Sequence, residues 1–600
     1  MTPELLVGPL LRRVVDTRAT IWVETSAPAL VRVGTPDGAA GQAETFTVQG
    51  HHYAIVIVDG LEPDSSTPYQ VFLDDERVWP EPGSGQPPSM LRTRAADDAA
   101  QPVRLVFGSC RETTQHATTR RLPPDALDAY ARRLMAGGEP PDLLVLLGDQ
   151  VYADVTSPRI RRLLRRRRRR PRGAPDDQVV TYDEYTKLYL ESWRDPEIRW
   201  LFSTVPSVMI FDDHEIIDDW NTSASWRADM RDQPWWAERI ASGLASYWVY
   251  QHLGNLHPDE IATDPVYAAV RAAGDGSTVL RELAAQIDAE ADEPPSERPR
   301  RYQFSYTLDI GRTRLIMLDN RCSRVLNPGQ RAMLPAAEWA WFLDRAHGSY
   351  DHLVVGASLP WLMPPGIHHI EAWNERLAES PRPRVAAWSE RVRRSLDLEH
   401  WAAFRRSFEA MAELFARLGA GEPATRGRPG TPGDRVGAGP AYPPPATISV
   451  LSGDVHHSYV ARARFPVDID TPVHQLTCSP IHNQVPAPMR PLMRLGWWRG
   501  PARAVRALAS AAGVPHPPVR WRRTAGPYFG NAVTTLRYAG DTADVSIEGT
   551  TKEGELRRVA AVPLRAQART VPAEPDRATP PAVAAVPGGT MEPDGPDIRQ

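Results

Sequence analysis

Asp142-Leu-Leu-Val-Leu-Leu-Gly-Asp-Gln-Val-Tyr-Ala-Asp154 is the stretch on which the reading of this chain turns. Its five consecutive apolar residues, bounded by Pro140-Pro141 and Gly148, predict a strand buried on both faces of a sheet. Such a strand delivers the side chains that follow it to the rim of the sheet, here Asp149 and then Tyr152. A carboxylate placed there costs free energy unless a cation meets it. Taken alone, the segment also reads as a strand-end Asp capping the next turn.

Three other segments repeat the form. Val103-Arg-Leu-Val-Phe-Gly-Ser-Cys-Arg-Glu112 offers Cys110, and Pro206-Ser-Val-Met-Ile-Phe-Asp-Asp-His-Glu215 offers Asp212, Asp213, His214 and Glu215. Thr447-Ile-Ser-Val-Leu-Ser-Gly-Asp-Val-His-His457 offers Asp454, His456 and His457. Several strands donating metal-capable side chains from the same end is how a two-metal hydrolase site is assembled.

The rest of the chain frames that expectation. At 600 residues it exceeds one hydrophobic core. A net charge of -4 gives no argument for nucleic acid or a membrane as partner of the whole molecule. Three cysteines make no disulfide framework and favour a reducing compartment. With no signal peptide pattern at Met1–Gly8 and no long apolar window, the expected location is cytoplasmic.

Short alternating segments such as Ala19–Glu24, Tyr53–Val58 and Tyr69–Leu73 predict a β-sandwich over 1–98. Gly60-Leu-Glu-Pro63, followed by Thr67-Pro-Tyr-Gln-Val71, resembles the end of a fibronectin type III module. From 101 to 561 strand-like and helix-like segments alternate, the longest helical one being Glu390–Leu418, and an α/β layered domain is expected. Two interruptions, 159–178 and 419–445, read as mobile insertions, and 565–600 as a disordered tail. The first of these carries the unbroken run Arg165–Arg170, which reads either as an electropositive gate for polyanions or as a solvated, self-repelling loop.

Together, Gly-Ser-Cys-Arg (108–111), Gly-Asp-Gln-Val-Tyr (148–152), Asp-Asp-His-Glu (212–215) and Gly-Asp-Val-His-His-Ser (453–458) resemble the motifs of PhoD-like alkaline phosphatases, within the calcineurin-like metallophosphoesterases. The resemblance implies a four-layer α/β/β/α sandwich and phosphoester hydrolysis, with metal-bound hydroxide attacking phosphorus in line. It also implies the site residues. Asp149 would bridge two metals, Cys110, Tyr152 and His456 would complete one, and Asp213 and Asp454 the other.

Thiolate with phenolate suits Fe(III), whereas an all-oxygen set suits a second divalent ion, Ca, Mg or Mn, of which the resemblance implies Ca. His214 is implied as proton donor to the leaving oxygen or as a phosphoryl ligand. Arg111 and Arg321 read either as fork contacts to phosphate or as ion-pair residues of the rim. Glu215 and Asp319 read as groups that orient ligands. The expected partner is a phosphoester substrate, with nucleic acid as a substrate at most. The alternatives are a phosphodiesterase, or a non-catalytic anion- or nucleic-acid-binding protein on the same scaffold.

Overall fold

The computed structural model describes residues 2–96, 101–118, 122–166, 170–290, 302–422 and 442–566. The four apolar runs of the motifs form the strands Val103–Gly108, Leu143–Leu147, Ser207–Ile210 and Thr447–Ser452. Three of them lie side by side and parallel in a six-stranded sheet, ordered 207–210, 143–147, 103–108, 532–539, 542–550, 556–565. The fourth belongs to a seven-stranded sheet, ordered 306–310, 313–318, 352–357, 447–452, 473–477, 458–464, 520–528, whose central strands are also parallel.

The missing alternation in the runs has a direct cause. Leu105, Phe107, Val145 and Leu147 share one core with Leu315, Met317, Val354, Leu451 and Leu476 of the other sheet. On the far face of the first sheet, Val106, Leu144, Leu146 and Met209 pack with residues of the helices Ala126–Met135, Tyr182–Trp193 and Trp236–Tyr247. On the far face of the second, Ile316, Val355 and Val450 pack with residues of Ala336–Ala346 and Arg405–Gly419. Both faces of each central strand are therefore buried, and a polar residue on either face would be orphaned.

The N-terminal part is β-rich. Leu5–Val15, Arg18–Thr25, Phe46–Val48 and His51–Val58 form one four-stranded sheet, and Leu30–Gly34, Ala40–Glu44, Gln70–Leu73 and Glu76–Trp79 another. Ile21, Val23 and Val56 of the first meet Val31, Val33 and Val71 of the second in a shared core. Arg12, fully buried, binds this part to the rest: its Nη2 donates to the Gln251 carbonyl (2.7 Å) and to Asn255 Oδ1 (2.9 Å). Asn255 in turn accepts from the Met209 backbone N–H (2.9 Å), in the strand that leads to Asp212.

Two expectations change. The helix foreseen over Glu390–Leu418 is broken into Pro383–Ser395, a 3-10 turn at Trp401–Phe404, and Arg405–Gly419. The chain reverses at Asp397, which holds a left-handed φ of 51°, and so turns Glu399 and His400 inward to charged partners. Within the first foreseen insertion, Pro158–Arg166 is helical, while Arg170 is pinned by Glu184 (2.8 Å). Residues 167–169, most of the 419–445 insertion (423–441) and most of the tail (567–600) lie outside the described residues. No helix of the described residues is long and apolar enough to cross a membrane.

Candidate active site and metal centre

The loops after the parallel strands converge because their backbones interlock. Gly148 has φ +95°, and a Cβ there would lie 2.4 Å from Cβ of Asp212. A Cβ on Gly453 would lie within 2.3 Å of two atoms of the Ser109 side chain. Only glycine permits these approaches. The adjoining Cys110, Asp149, Asp454 and His456 all take left-handed φ values, between 50° and 62°. Strained backbone clustered in this way is characteristic of functional sites. The Cys110 and Arg111 N–H groups donate to the carbonyls of Gly148 (3.2 Å) and Asp149 (3.0 Å), locking two motifs together.

Glu215 is the clamp between loops. Its carboxylate accepts from the backbone N–H of Asp149 (3.1 Å), Gln150 (2.8 Å) and Asp212 (3.0 Å), and from Gln251 Nε2 (3.0 Å). Burial pushes its pKa up to about 7. This is the orienting role foreseen for it.

Asp149 is buried, with Oδ2 accepting from the Tyr152 hydroxyl (3.2 Å) and Oδ1 lacking any hydrogen-bond partner among the described residues. Burial and the neighbouring Asp212 hold its pKa well above the ordinary carboxylate range. The Tyr152 hydroxyl accepts from Asn483 Nδ2 (3.1 Å), and its ring stacks on His214 with centroids 4.2 Å apart. Cys110 Sγ accepts from Ser479 Oγ (3.2 Å) and donates to the Asp454 carbonyl (3.6 Å). Burial raises the pKa of both the thiol and the phenol, and nearby carboxylates add to the effect. Without a cation both groups stay protonated; a bound cation reverses that logic.

The donors fit a metal centre. Ligand atoms of Asp149, Asp213 and His214 lie within 4.8 Å of one another, as do those of Asp212, Asp213 and Asp454. The orphaned Oδ1 of Asp149 is a buried acceptor that a cation would satisfy. Cys110 and His456 fall outside both sets, although Cys110 touches the Asp454 backbone and the His456 N–H donates to Ser479 Oγ (3.2 Å).

His214 Nδ1 lies 2.9 Å from Asp154 Oδ1, and Nε2 lies 3.6 Å from Asp218. Burial opposes a charge on this ring, but Asp154 and then Asp149 outweigh it and raise its pKa well above the ordinary histidine value.

Both arginines are committed to carboxylates. Arg111 is buried, with Nε on Asp125 (2.8 Å) and Nη1 on the Ser192 carbonyl (3.0 Å) and hydroxyl (2.8 Å). Asp125 is also the N-cap of Ala126–Met135, so Arg111 ties the first motif to that helix. Arg321 Nε donates to Asp212 (2.5 Å) and Nη1 to Glu399, while Nη2 lies 3.4 Å from both Asp213 and Asp454.

Sequence reading missed Asp154, Asn483, Glu399, Arg324 and His400. Arg324 Nη1 donates to Glu399 (2.8 Å). His400 bridges Glu371 (2.8 Å) and Asp454 (3.2 Å), which together push its pKa up to about 10 against the effect of burial. Asp154 ends the quoted stretch and could have been found there; the others carry no motif.

Residues 107–333 match the family model described as PhoD-like phosphatase, and residues 2–91 match one described as Domain of unknown function (DUF7800). No curated protein matches the chain. A solved structure described as that of PhoD covers 93% of this chain and 92% of its own at 13% identity, with a TM-score of 0.53. The purple acid phosphatase PPD1 from yellow lupin (Lupinus luteus) seeds covers 93% and 73% at 9% identity, with a TM-score of 0.43. Gly148, Asp149, Asp212, Asp213 and His214 thus lie inside the stretch, residues 107–333, that is similar to the PhoD-like phosphatases, and Gly453 and Asp454 join them from beyond it.

Proposed function

We propose that the chain is a metal-dependent phosphoester hydrolase on a four-layer α/β/β/α scaffold preceded by a fibronectin III-like module. The observation that carries this reading is Asp149, whose buried, unpartnered Oδ1 sits at the strand end where the other motifs converge. Asp149 with Cys110, Tyr152 and His456 would hold one cation, and a thiolate with a phenolate suits Fe(III). The motif resemblance would add Asp213 and Asp454 to Asp149 around a harder ion, Ca, Mg or Mn. That second assignment competes with Arg321, whose guanidinium already lies 3.4 Å from both carboxylates.

A cation bound at such a centre supplies Lewis acidity, acidifying water and offsetting charge on phosphoryl oxygens. The chain's own groups do the rest. His214, oriented by Asp154 at 2.9 Å, would act from its protonated form, passing its proton to the leaving oxygen. Its stack on Tyr152 fixes the plane of the ring. Glu215 holds the Asp149 and Asp212 loops in register, and Arg111 does the same for the first motif through Asp125. Arg111 is therefore proposed as a positioning residue, not a phosphate ligand.

The test is metal analysis of purified protein followed by a panel of phosphate monoesters and diesters, with Asp149→Ala in parallel. Turnover should fall by at least about a thousandfold in the variant, with loss of metal. If iron is held by Tyr152, the oxidised protein is coloured and Tyr152→Phe shifts or bleaches the band. Full activity and full metal content in Asp149→Ala would refute the site. A colourless, active protein would refute Fe(III).

A further inference from the structure

We infer that the guanidinium of Arg321 is a built-in substitute for the second cation, so that the centre holds one metal ion beside a fixed organic cation. The inference rests on the hydrolase reading of the same site. It starts from the carboxylates. Asp212, Asp213 and Asp454 present oxygens within 4.8 Å of one another, a spacing that would suit an ion. Arg321 touches all three: Nε on Asp212 Oδ1 at 2.5 Å, and Nη2 at 3.4 Å from Oδ1 of Asp213 and of Asp454.

The oxygens that Arg321 leaves on Asp213 and Asp454 are also engaged. Asp213 Oδ2 accepts from the Asp219 N–H (2.9 Å), and Asp454 Oδ2 faces His400 Nε2 (3.2 Å). Asp213 Oδ1 additionally accepts from the His214 N–H (3.0 Å). Asp212 Oδ1 also accepts from Ser358 Oγ (2.9 Å), while its Oδ2 has no partner among the described residues.

Nor is Arg321 a mobile arm that an arriving ion could push aside. The residue is fully buried, its N–H donates to Asp319 Oδ1 (2.9 Å), and its Nη1 donates to Glu399. Glu399 is itself held by Arg324 (2.8 Å) and Thr222 Oγ1 (3.0 Å). To ligate Asp213 and Asp454, a divalent ion would have to displace Nη2 while the other two guanidinium nitrogens stayed anchored, and like charges repel strongly at that range. Asp149 differs from Asp213 and Asp454: Arg321 does not engage it, and its Oδ1 is buried with no partner among the described residues, beside Tyr152. Asp149 is where a metal fits; the Asp213–Asp454 pair already faces a fixed positive charge on a group that cannot lose its proton.

Two consequences follow. Loading the protein does not depend on a supply of Ca, Mg or Mn. Arg321, a positioning residue, also fixes the spacing between Asp212, Asp213 and Asp454 whether or not metal is bound.

The experiment counts metal. Purified protein is equilibrated with Fe, Ca, Mg and Mn, dialysed, and analysed by elemental mass spectrometry, and Ca and Mn binding is followed by calorimetry. The expected result is about one ion per chain, with no second site titrating. Arg321→Met, which keeps bulk but removes the charge, should gain a Ca or Mn site and approach two ions. Arg321→Lys should stay near one.

If Arg321→Met fails to fold, anomalous scattering from crystals of the wild-type protein decides instead. An ion touching Asp213 and Asp454 there overturns the inference, as does a count of two in wild type. Two ions with ester turnover would leave the hydrolase reading standing. One ion with no turnover on any ester would refute that reading and keep the Arg321 assignment.

Discussion

His252→Phe should make the protein more resistant to acid by an amount that can be calculated. His252 ends an irregular turn, Trp248–His252, and is packed among Tyr302 and Phe304, with ring centroids 5.5 and 4.9 Å away. Both ring nitrogens are buried without a hydrogen-bond partner among the described residues. Burial, reinforced by the Arg12 guanidinium, pushes its pKa down to about 3. In the unfolded chain the ring titrates near its ordinary value of about 6.5.

The sign follows. Above pH of about 6.5 both states are neutral and His252 has no pH effect. As pH falls, the unfolded state gains a proton that the folded state refuses, so stability is lost between about 6.5 and about 3. One proton costs about 1.4 kcal/mol per pH unit in that window, hence about 2 kcal/mol at pH 5.

Phenylalanine keeps the ring and removes both nitrogens. At pH 7.5 it also removes an unpaired N–H, a gain of roughly 1–3 kcal/mol. Urea unfolding of both proteins at pH 7.5, 6 and 5, followed by tryptophan fluorescence, reads the difference directly. The advantage of the variant should grow by about 2 kcal/mol between pH 7.5 and pH 5. Parallel pH profiles for the two proteins would refute the argument, because every other titrating group is common to both.

Gly148→Ala should lower kcat/KM by about a hundredfold or more, because the new Cβ would meet Asp212 at 2.4 Å and shift Asp149 beside it. Far-UV circular dichroism should stay native, and unchanged kinetics would refute the claim that this glycine sets the geometry. Within the arginine run, Arg170→Ala should destabilise by about 3 kcal/mol, since Arg170 joins buried Glu184 and the carbonyls of Pro175 and Gln178 (2.6 Å each). Arg165→Ala, at an exposed helical position, should stay within about 0.5 kcal/mol in the same unfolding assay. Equal effects would mean that the run acts only as a charged surface.

The sequence by itself determined the parts of this protein whose cause is local. An apolar run without alternation, as in Leu143–Leu147, has one stable environment, a strand covered on both faces, and the residues after it must reach the rim. Hence Asp149, Asp213, His214 and Asp454 were legible as residues that meet at one rim, as was the position of Glu215 between their loops.

What only the tertiary structure decided concerns pairing over long separations. Arg321 meets Glu399, Asp212 and Asp454 across 78, 109 and 133 residues, and no local pattern encodes which carboxylate a guanidinium will find. Arg111, one residue from Cys110, turns to Asp125 instead of toward the cluster for the same reason. Glu399 and His400 lay hidden in a stretch with helical periodicity, which breaks because these charged side chains gain buried partners that outweigh the lost helical turn. A buried charge must be met wherever the fold places an opposite one, and only the folded chain brings the two together.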